Sequence, residues 1–241
     1  MKIIKKTIKY ILKKNGWRME KIVIPRECNT ETPRKELLDA MKNCKGILHF
    51  GAHRGSEAPI YEWFGKNVIW FEANPKIFSA LKENLIKHKN QKAFCALLGE
   101  KDDEEIDFYL SNNDSASSSI YRFGDFTKKF WPNRIFKMTG KLRLKFKSLD
   151  TLIKENGIEI LNYDHWIIDV QGAELLLLKG SKESLKFCKS IFVEVSNEEI
   201  YKGGAQFNEL EKFLEKHNFV PIWRPIKEHS DVLFLNKNLK K

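Results

Sequence analysis

A glycine turn followed 21 residues later by an acid has the clearest chemical meaning in this sequence. An apolar run over residues 47–50 leads into Gly51, and a second apolar run over residues 68–71 ends in Glu72. In a doubly wound sheet, the glycine lets a cofactor approach the backbone, and an acid about 20 positions on binds the ribose hydroxyls. The spacing predicts a site for an adenosine-containing cofactor.

The residues around this turn favour a cofactor without phosphate. A dinucleotide site uses a third glycine and free N–H groups at the start of the next helix, but Glu57 occupies that position. A carboxylate there would repel a diphosphate, whereas it can accept a hydrogen bond from an ammonium group or stabilise the helix start. We therefore favour S-adenosylmethionine over a nicotinamide cofactor.

Two residues are candidates for the base in a methyl transfer from this cofactor, which needs an aligned acceptor and usually a proton acceptor. Asp169 ends an apolar strand, where open α/β sheets bind their ligands. His53 lies in the cofactor turn, and histidine is a common general base in enzymes. The structural alternatives are that Asp169 caps the turn at residues 171–172 and that His53 only supports the fold.

A second carboxylate, Glu194, ends the neighbouring predicted strand. Together with Asp169 it could hold Mg²⁺, a hard ion that takes oxygen ligands, but only two ligands can be named. We favour the alternative of a buried acid that is hydrogen-bonded to backbone or to a substrate hydroxyl, and we predict no required metal. His49 lies inside a strand among apolar residues and is expected to be a core histidine.

The composition indicates one globular domain with a sizeable core, since the chain has 241 residues, 42% of them hydrophobic. Its four cysteines form no CxxC pair, which favours reduced thiols, and neither a signal peptide nor an apolar run of about 18 residues is present. We expect a cytoplasmic protein. The net charge of +11 comes from two segments, residues 1–14 with six lysines and residues 126–147 with eight lysines or arginines.

These two basic segments raise the question of partners. Residues 1–14 form a possible amphipathic helix that could lie weakly on anionic lipid at the inner membrane face, although a helix packed on the domain is favoured. Residues 126–147 interleave basic and aromatic side chains and could bind nucleic acid. They could equally cover an anionic or glycan acceptor, which we rank first, or form a solvated insertion.

Strands and helices alternate from residue 46 onward. Strands are predicted at 46–50, 67–72, 91–97, 106–110, 141–147, 166–169 and 190–195, and helices at 55–64, 75–88, 150–156, 172–180 and 207–217. Residues 219–223 and 232–235 are expected to form a closing antiparallel pair. This order predicts an α/β fold with a doubly wound, mostly parallel sheet. We divide the chain into residues 1–45, with a basic helix, a linker and a second helix, and a domain over residues 46–241.

Five motifs occur in a characteristic order. They are residues 51–57 (GAHRGSE), 71–75 (FEANP), the serines at 117–119, residues 148–150 (SLD), and residues 169–174 (DVQGAE) with 178–180 (LKG). In this order they resemble the FkbM-type S-adenosylmethionine-dependent methyltransferases over about residues 46–235. The resemblance implies a class I methyltransferase fold, which is Rossmann-like, and methylation commonly on oxygen, often of sugars.

The resemblance also assigns residues to the cofactor. It places Gly51, Ala52 and Gly55 against the methionine part, Glu72 on the ribose and Asp169 near the reacting centre. The full predicted cofactor site comprises Gly51, Ala52, His53, Gly55, Glu57, Glu72, Ala73, Asn74 and Asp169, and the predicted catalytic residues are Asp169 and His53. Many family members carry an acid and an asparagine where this chain has His49 and His53.

The sequence therefore predicts an S-adenosylmethionine-dependent O-methyltransferase that acts on a hydroxyl of a sugar, a glycoconjugate or a related small molecule. One alternative is a methyltransferase of RNA or another nucleic acid. Another is a non-catalytic basic module of the same fold that binds nucleic acid or a membrane.

Overall fold

The computed structural model describes residues 32–130, 135–225 and 228–239, so the predicted helix over residues 1–14 lies outside the described residues. The strands are β1 (Gly46–Phe50), β2 (Asn67–Glu72), β3 (Gln91–Cys95), β4 (Leu97–Leu98), β5 (Glu105–Ser111), β6 (Met138–Lys147), β7 (His165–Ile168), β8 (Ser190–Ser196), β9 (Phe219–Pro221) and β10 (His229–Asn236). The α-helices are α1 (Thr32–Asn43), α2 (Ala58–Trp63), α3 (Pro75–Leu85), α4 (Phe126–Phe130), α5 (Leu149–Glu155), α6 (Glu174–Lys179), α7 (Lys182–Leu185) and α8 (Phe207–Lys216).

Seven strands form the main sheet in the order β3-β2-β1-β7-β8-β10-β9. Strands β3, β2, β1, β7 and β8 pair in parallel, and β10 runs antiparallel to both β8 and β9. The predicted mostly parallel sheet with a closing antiparallel pair is confirmed. The strand order reverses between β1 and β7, and ligands of doubly wound sheets bind at the carboxyl ends of strands at such a switch point.

The central strands are buried on both faces, as expected for a parallel sheet covered by helices on each side. All five residues of β1 are buried, and Trp70 and Trp166 on the neighbouring strands are fully enclosed. His49 is confirmed as a core histidine: its Nδ1 lies 2.9 Å from the Tyr61 hydroxyl and its ring stacks on Trp70. Burial lowers the pKa of His49 to about 4, which keeps the ring neutral.

Local sequence explains where the helices begin. The Asn74 side chain accepts a hydrogen bond from the Lys76 N–H at the start of α3, and Pro75 fills the first turn. Two predicted helices start later than expected because residues before them are left-handed. Helix α2 begins at Ala58, after Gly55 at φ +70°, and α6 begins at Glu174, after Gly172 at φ +96°.

A second sheet of three strands, in the order β4-β6-β5, stands beside the main one. The predicted strand at 141–147 is confirmed as part of β6, and its basic side chains face acids on β5. Lys141 Nζ lies 2.7 Å from Asp107, and Arg143 contacts both Asp107 and Glu105. These ion pairs balance part of the positive charge of the basic segment.

Among the described residues, no helix is both long and apolar enough to cross a membrane. The three described cysteines, Cys44, Cys95 and Cys188, are free thiols.

Candidate active site

The glycine turn after β1 brings that strand against the end of β7. Gly51 adopts φ +80°, and its N–H and that of Ala52 both donate to the Phe71 carbonyl at 3.0 Å. A Cβ atom on Gly51 would lie 1.7 Å from the Asp169 carbonyl oxygen. Only glycine allows this approach, which places Asp169 next to the turn.

We expect Gly51→Ala to lower the free energy of unfolding by about 4 kcal/mol or more, since a left-handed conformation and a backbone clash act together. Gly65→Ala is the matched control, because Gly65 has φ +64° but a Cβ atom added there would have no neighbour within 4 Å. The control should lose only about 1–2 kcal/mol. Chemical denaturation measures both, and equal losses would contradict the close approach.

Glu72 is fixed at the end of β2 by two backbone hydrogen bonds. Its Oε2 accepts from the His53 N–H and its Oε1 from the Asn74 N–H, both at 2.8 Å. The side chain is 8% exposed, and burial raises its pKa although the two N–H groups act in the opposite direction. Each carboxylate oxygen has two lone pairs, so each can accept one further hydrogen bond from a ligand hydroxyl.

A cavity lies between the Gly51 turn, Glu72 and Asp169. One part of its lining is apolar and comprises Phe71, Ala96, Leu97, Leu98, Phe108 and Ile120. The polar lining comprises His53, Glu72, Ser115, Ser118, Asp169 and Gln171. None of the described lining residues is a lysine or an arginine. Such a pocket suits a ligand with a flat apolar ring and hydroxyl groups but no phosphate.

The serine-containing loop over residues 112–119 lines one side of this cavity, and hydrogen bonds hold it at Asp114 and Ser119. Arg54 makes two hydrogen bonds of 3.0 Å to the Asp114 carboxylate, and His53 Nε2 lies 2.9 Å from the Asp114 carbonyl. Ser119 Oγ donates to the Gln171 carbonyl at 2.6 Å. The loop thus joins the cofactor turn to the chain after β7.

A network of acids and an amide extends from the cavity at the ends of β7 and β8. Gln171 Nε2 donates to Asp169 Oδ1 and, at 3.0 Å, to Glu194 Oε2. The Tyr201 hydroxyl donates to Gln171 Oε1, which directs the amide NH₂ toward the two carboxyl groups. His229 Nε2 lies 2.9 Å from Glu194 Oε1.

Burial and like charges strongly affect the protonation of these acids. Burial and the nearby Glu194 raise the pKa of Asp169 well above its ordinary value. Burial, together with Glu174 and Asp231, raises the pKa of Glu194 to about 8, and burial raises that of Glu174 to about 7. Carboxyl groups with raised pKa values near neutrality are suited to accept a proton during a reaction.

The structure brings five of the predicted cofactor residues to the cavity and leaves four behind its lining. Gly51, His53, Glu72, Ala73 and Asp169 line it. Of the other four, Ala52 packs in a hydrophobic cluster and Gly55 lies against Leu81. Asn74 caps α3, and the Glu57 carboxylate accepts a hydrogen bond from Ser56 Oγ. These roles concern the turn and the helix starts.

Glu194, considered as a metal ligand or a hydrogen-bonded acid, has protein partners in Gln171 and His229. Among the described residues, no group of three or more histidine, cysteine, aspartate or glutamate side chains is placed to hold a metal ion. His229 and Tyr201 were not identified from the sequence. The sequence contains only a weak indication of His229: it stands two residues before Asp231, and the strand that holds both residues pairs with β8, where Glu194 lies.

One family model and several known proteins are similar to this chain. The family model of the methyltransferase FkbM domain matches residues 49–221. The curated 2-O-methyltransferase NoeI of Sinorhizobium fredii is 26% identical over 202 residues, which cover 80% of each chain. A solved S-adenosylmethionine-dependent methyltransferase from Aquifex aeolicus is similar with a TM-score of 0.47 and 12% identity, over 85% of this chain and 89% of that one. A TehB-like methyltransferase from Corynebacterium glutamicum has a TM-score of 0.44 and 11% identity over 96% of both chains.

Proposed function

The chain belongs to the FkbM methyltransferase family, and on this basis we propose that it methylates a hydroxyl oxygen of a sugar, a glycoconjugate or a related small molecule. It is an S-adenosylmethionine-dependent methyltransferase of the class I fold. The choice of oxygen is supported by the name of the relative NoeI, a 2-O-methyltransferase. The acid network beside the cavity is the observation that carries the proposal, because hydroxyl methylation requires a proton acceptor.

The residues of the first cavity fit S-adenosylmethionine by their chemistry. Glu72 can accept hydrogen bonds from ribose hydroxyls, and the apolar lining around Phe71 and Leu97 suits the adenine ring. The lining has no described cationic side chain for a phosphate. When bound, the cofactor supplies an electrophilic methyl group on a sulfonium.

Asp169 takes the role of the base in this proposal. It lines the cofactor cavity and lies within the hydrogen-bond network of Gln171. In this role Asp169 would accept the proton that the acceptor hydroxyl gives up, and Gln171 would hold the carboxylate in place. His53 is the other candidate. Its ring Nε2 lies next to the Asp114 carbonyl and its backbone N–H donates to Glu72, so we assign it to positioning the turn.

The acceptor class can be tested by transfer of a tritiated methyl group from S-adenosylmethionine. Parallel reactions would contain a panel of methyl glycopyranosides or total RNA. We expect label in the glycoside fraction that depends on Asp169. Label in RNA alone would contradict a sugar acceptor and favour the nucleic-acid alternative.

A further inference from the structure

A second cavity lies on the far side of the Gln171–Gly172 turn from the first. Its lining includes Glu174, Glu194, Ser196, Tyr201 and His229. We propose that the hydroxyl groups of the methyl acceptor, a polyhydroxylated ring without negative charge, enter this cavity, that Ser196 and Glu194 bind them, and that His229 is a positioning residue that holds these two side chains in place. The inference rests on the proposed function and names the site and the charge of its acceptor.

The position of this cavity matches what a methyl transfer requires. Gln171 lines the first cavity and Gly172 lines the second, so the two share one wall. The Gln171 amide donates to Asp169, on the cofactor side, and to Glu194, on the other side. A hydroxyl held at Glu194 is therefore close to the base and to the cofactor cavity, as an in-line displacement needs.

The shape of the shared wall depends on two successive left-handed residues. Gln171 has φ +56° and Gly172 has φ +96°. This turn directs the Gln171 side chain back onto both carboxyl groups. A non-glycine residue at φ +56° carries a conformational cost, and residues of this kind concentrate at binding and catalytic sites.

The polar lining of the second cavity is a connected row of donors and acceptors. Ser196 Oγ lies 2.8 Å from His229 Nδ1, and His229 Nε2 lies 2.9 Å from Glu194 Oε1. Burial lowers the pKa of His229, which favours a neutral ring with one donor and one acceptor nitrogen, and these two nitrogens contact Ser196 and Glu194. His229 thus holds Ser196 Oγ and the Glu194 carboxylate in place, and the remaining lone pairs of these oxygens can accept hydrogen bonds from sugar hydroxyls.

An apolar surface lies beside the row. Tyr201 packs closely against Gly172 and Gly204, where an added Cβ atom would lie 3.1 Å and 3.2 Å from the Cβ atom of Tyr201. Ala205 adds a small apolar side chain to the lining. Tyr201 is only 6% exposed, so it forms a fixed wall beside the hydroxyl-binding groups.

The charge of the cavity excludes an acidic acceptor. Glu174, Glu194 and Glu198 all line it, and its described lining has no lysine or arginine. Burial is the largest cause of the raised pKa values of Glu174 and Glu194, so a carboxylate brought into the same enclosed lining would be disfavoured for the same reason. The anionic acceptor considered from the basic segment therefore does not suit this cavity.

The test compares ligands that differ only in charge. Methyl glycopyranosides would be offered in 6-hydroxy, 6-amino and 6-carboxyl forms to the protein saturated with S-adenosylhomocysteine, and binding would be followed by saturation-transfer NMR. We expect binding of the 6-hydroxy and 6-amino forms, with the 6-carboxyl form at least about tenfold weaker.

Two single-residue variants test the roles of His229 and Ser196 in acceptor binding. His229→Asn should raise the KM for the glycoside about tenfold or more and leave the Kd of S-adenosylhomocysteine within about twofold. Ser196→Ala removes only one hydroxyl group, and it provides the same KM measurement if His229→Asn does not fold. His217→Asn is the matched control, because His217 ends α8 and contacts the Phe213 carbonyl, and it should behave as wild type.

The outcomes separate this inference from the proposed function. Equal binding of the 6-carboxyl form, or an unchanged KM in both His229→Asn and Ser196→Ala, would overturn the acceptor site while wild-type methylation of a glycoside upheld the function. If the wild type methylated no glycoside, the proposed function would fail, and the inference with it.

Discussion

Replacing Asp169 by asparagine is expected to lower kcat by about 10²- to 10⁴-fold, the usual contribution of a positioned base. Asparagine has the shape of aspartate but cannot accept the hydroxyl proton. The Kd of S-adenosylhomocysteine should change by no more than about threefold, because the side chain keeps its volume at the cavity wall. Rapid-quench kinetics and calorimetry measure the two quantities.

The pH dependence provides a second readout of the same prediction. The base acts only when it is ionised, and the pKa of Asp169 is raised while that of its partner Glu194 is raised to about 8. The value of kcat/KM should therefore rise with pH through this range and level off above it. Glu174, Asp231 and His229 also face this network and share in the titration.

Asp39→Asn is the control for Asp169→Asn, since Asp39 is exposed on α1. It should leave kcat and its pH dependence unchanged. If Asp169→Asn retained the wild-type kcat, the base would have to be another residue. Glu194 would then be the first candidate, because it shares the Gln171 amide.

Replacing Glu72 by glutamine should raise the Kd of S-adenosylhomocysteine about 10- to 100-fold, in line with the loss of charge-assisted hydrogen bonds. Both carboxylate oxygens accept backbone N–H groups, from His53 and Asn74. Glutamine offers one oxygen and one NH₂ group, so one of these N–H groups would face another donor. The ribose would also lose its anionic acceptor.

Calorimetric titration at a temperature well below the unfolding transition measures this Kd without interference from stability. Glu83→Gln on α3 is a matched control, because its side chain is exposed and remote from the cavity lining. We expect wild-type affinity from the control. Wild-type affinity in Glu72→Gln would show that the acid after β2 does not bind the cofactor.

The cofactor half of the site was predictable because its signals are local in sequence. Gly51 and Glu72 end adjacent parallel strands, and such strands place their carboxyl ends at one edge of a sheet. The apolar runs predicted where the two strands lie, so the spacing between Gly51 and Glu72 was sufficient to predict that the two residues are close in space. The same argument placed Asp169 and Glu194 side by side.

The proposed acceptor half depends on contacts that are distant in sequence. His229 reaches Glu194 only because of the antiparallel register of β10 on β8, in which Asp231 pairs with Glu194. Tyr201 lies in an irregular segment after β8, and its position depends on packing against Gly172 and Gly204. No periodicity or spacing encodes such a register or packing.

The motif over residues 51–57 shows a different limit. The sequence alone could not separate residues that line the cavity from those that shape the turn. Gly55 has φ +70° and lies against Leu81, so it is needed for the fold of the turn. Glu57 precedes α2 with its carboxylate on Ser56. This motif therefore contains both residues that line the cavity and residues that shape the turn.

The central claim is that this site transfers a methyl group from S-adenosylmethionine to a hydroxyl oxygen. The most direct test is ¹³C NMR of the product formed from S-adenosylmethionine labelled in its methyl carbon and a panel of methyl glycosides. The account predicts a labelled methoxy carbon that is coupled through oxygen to a sugar ring carbon, and its absence with Asp169→Asn. Label on nitrogen, carbon or sulfur, or no transfer to any glycoside, would contradict it.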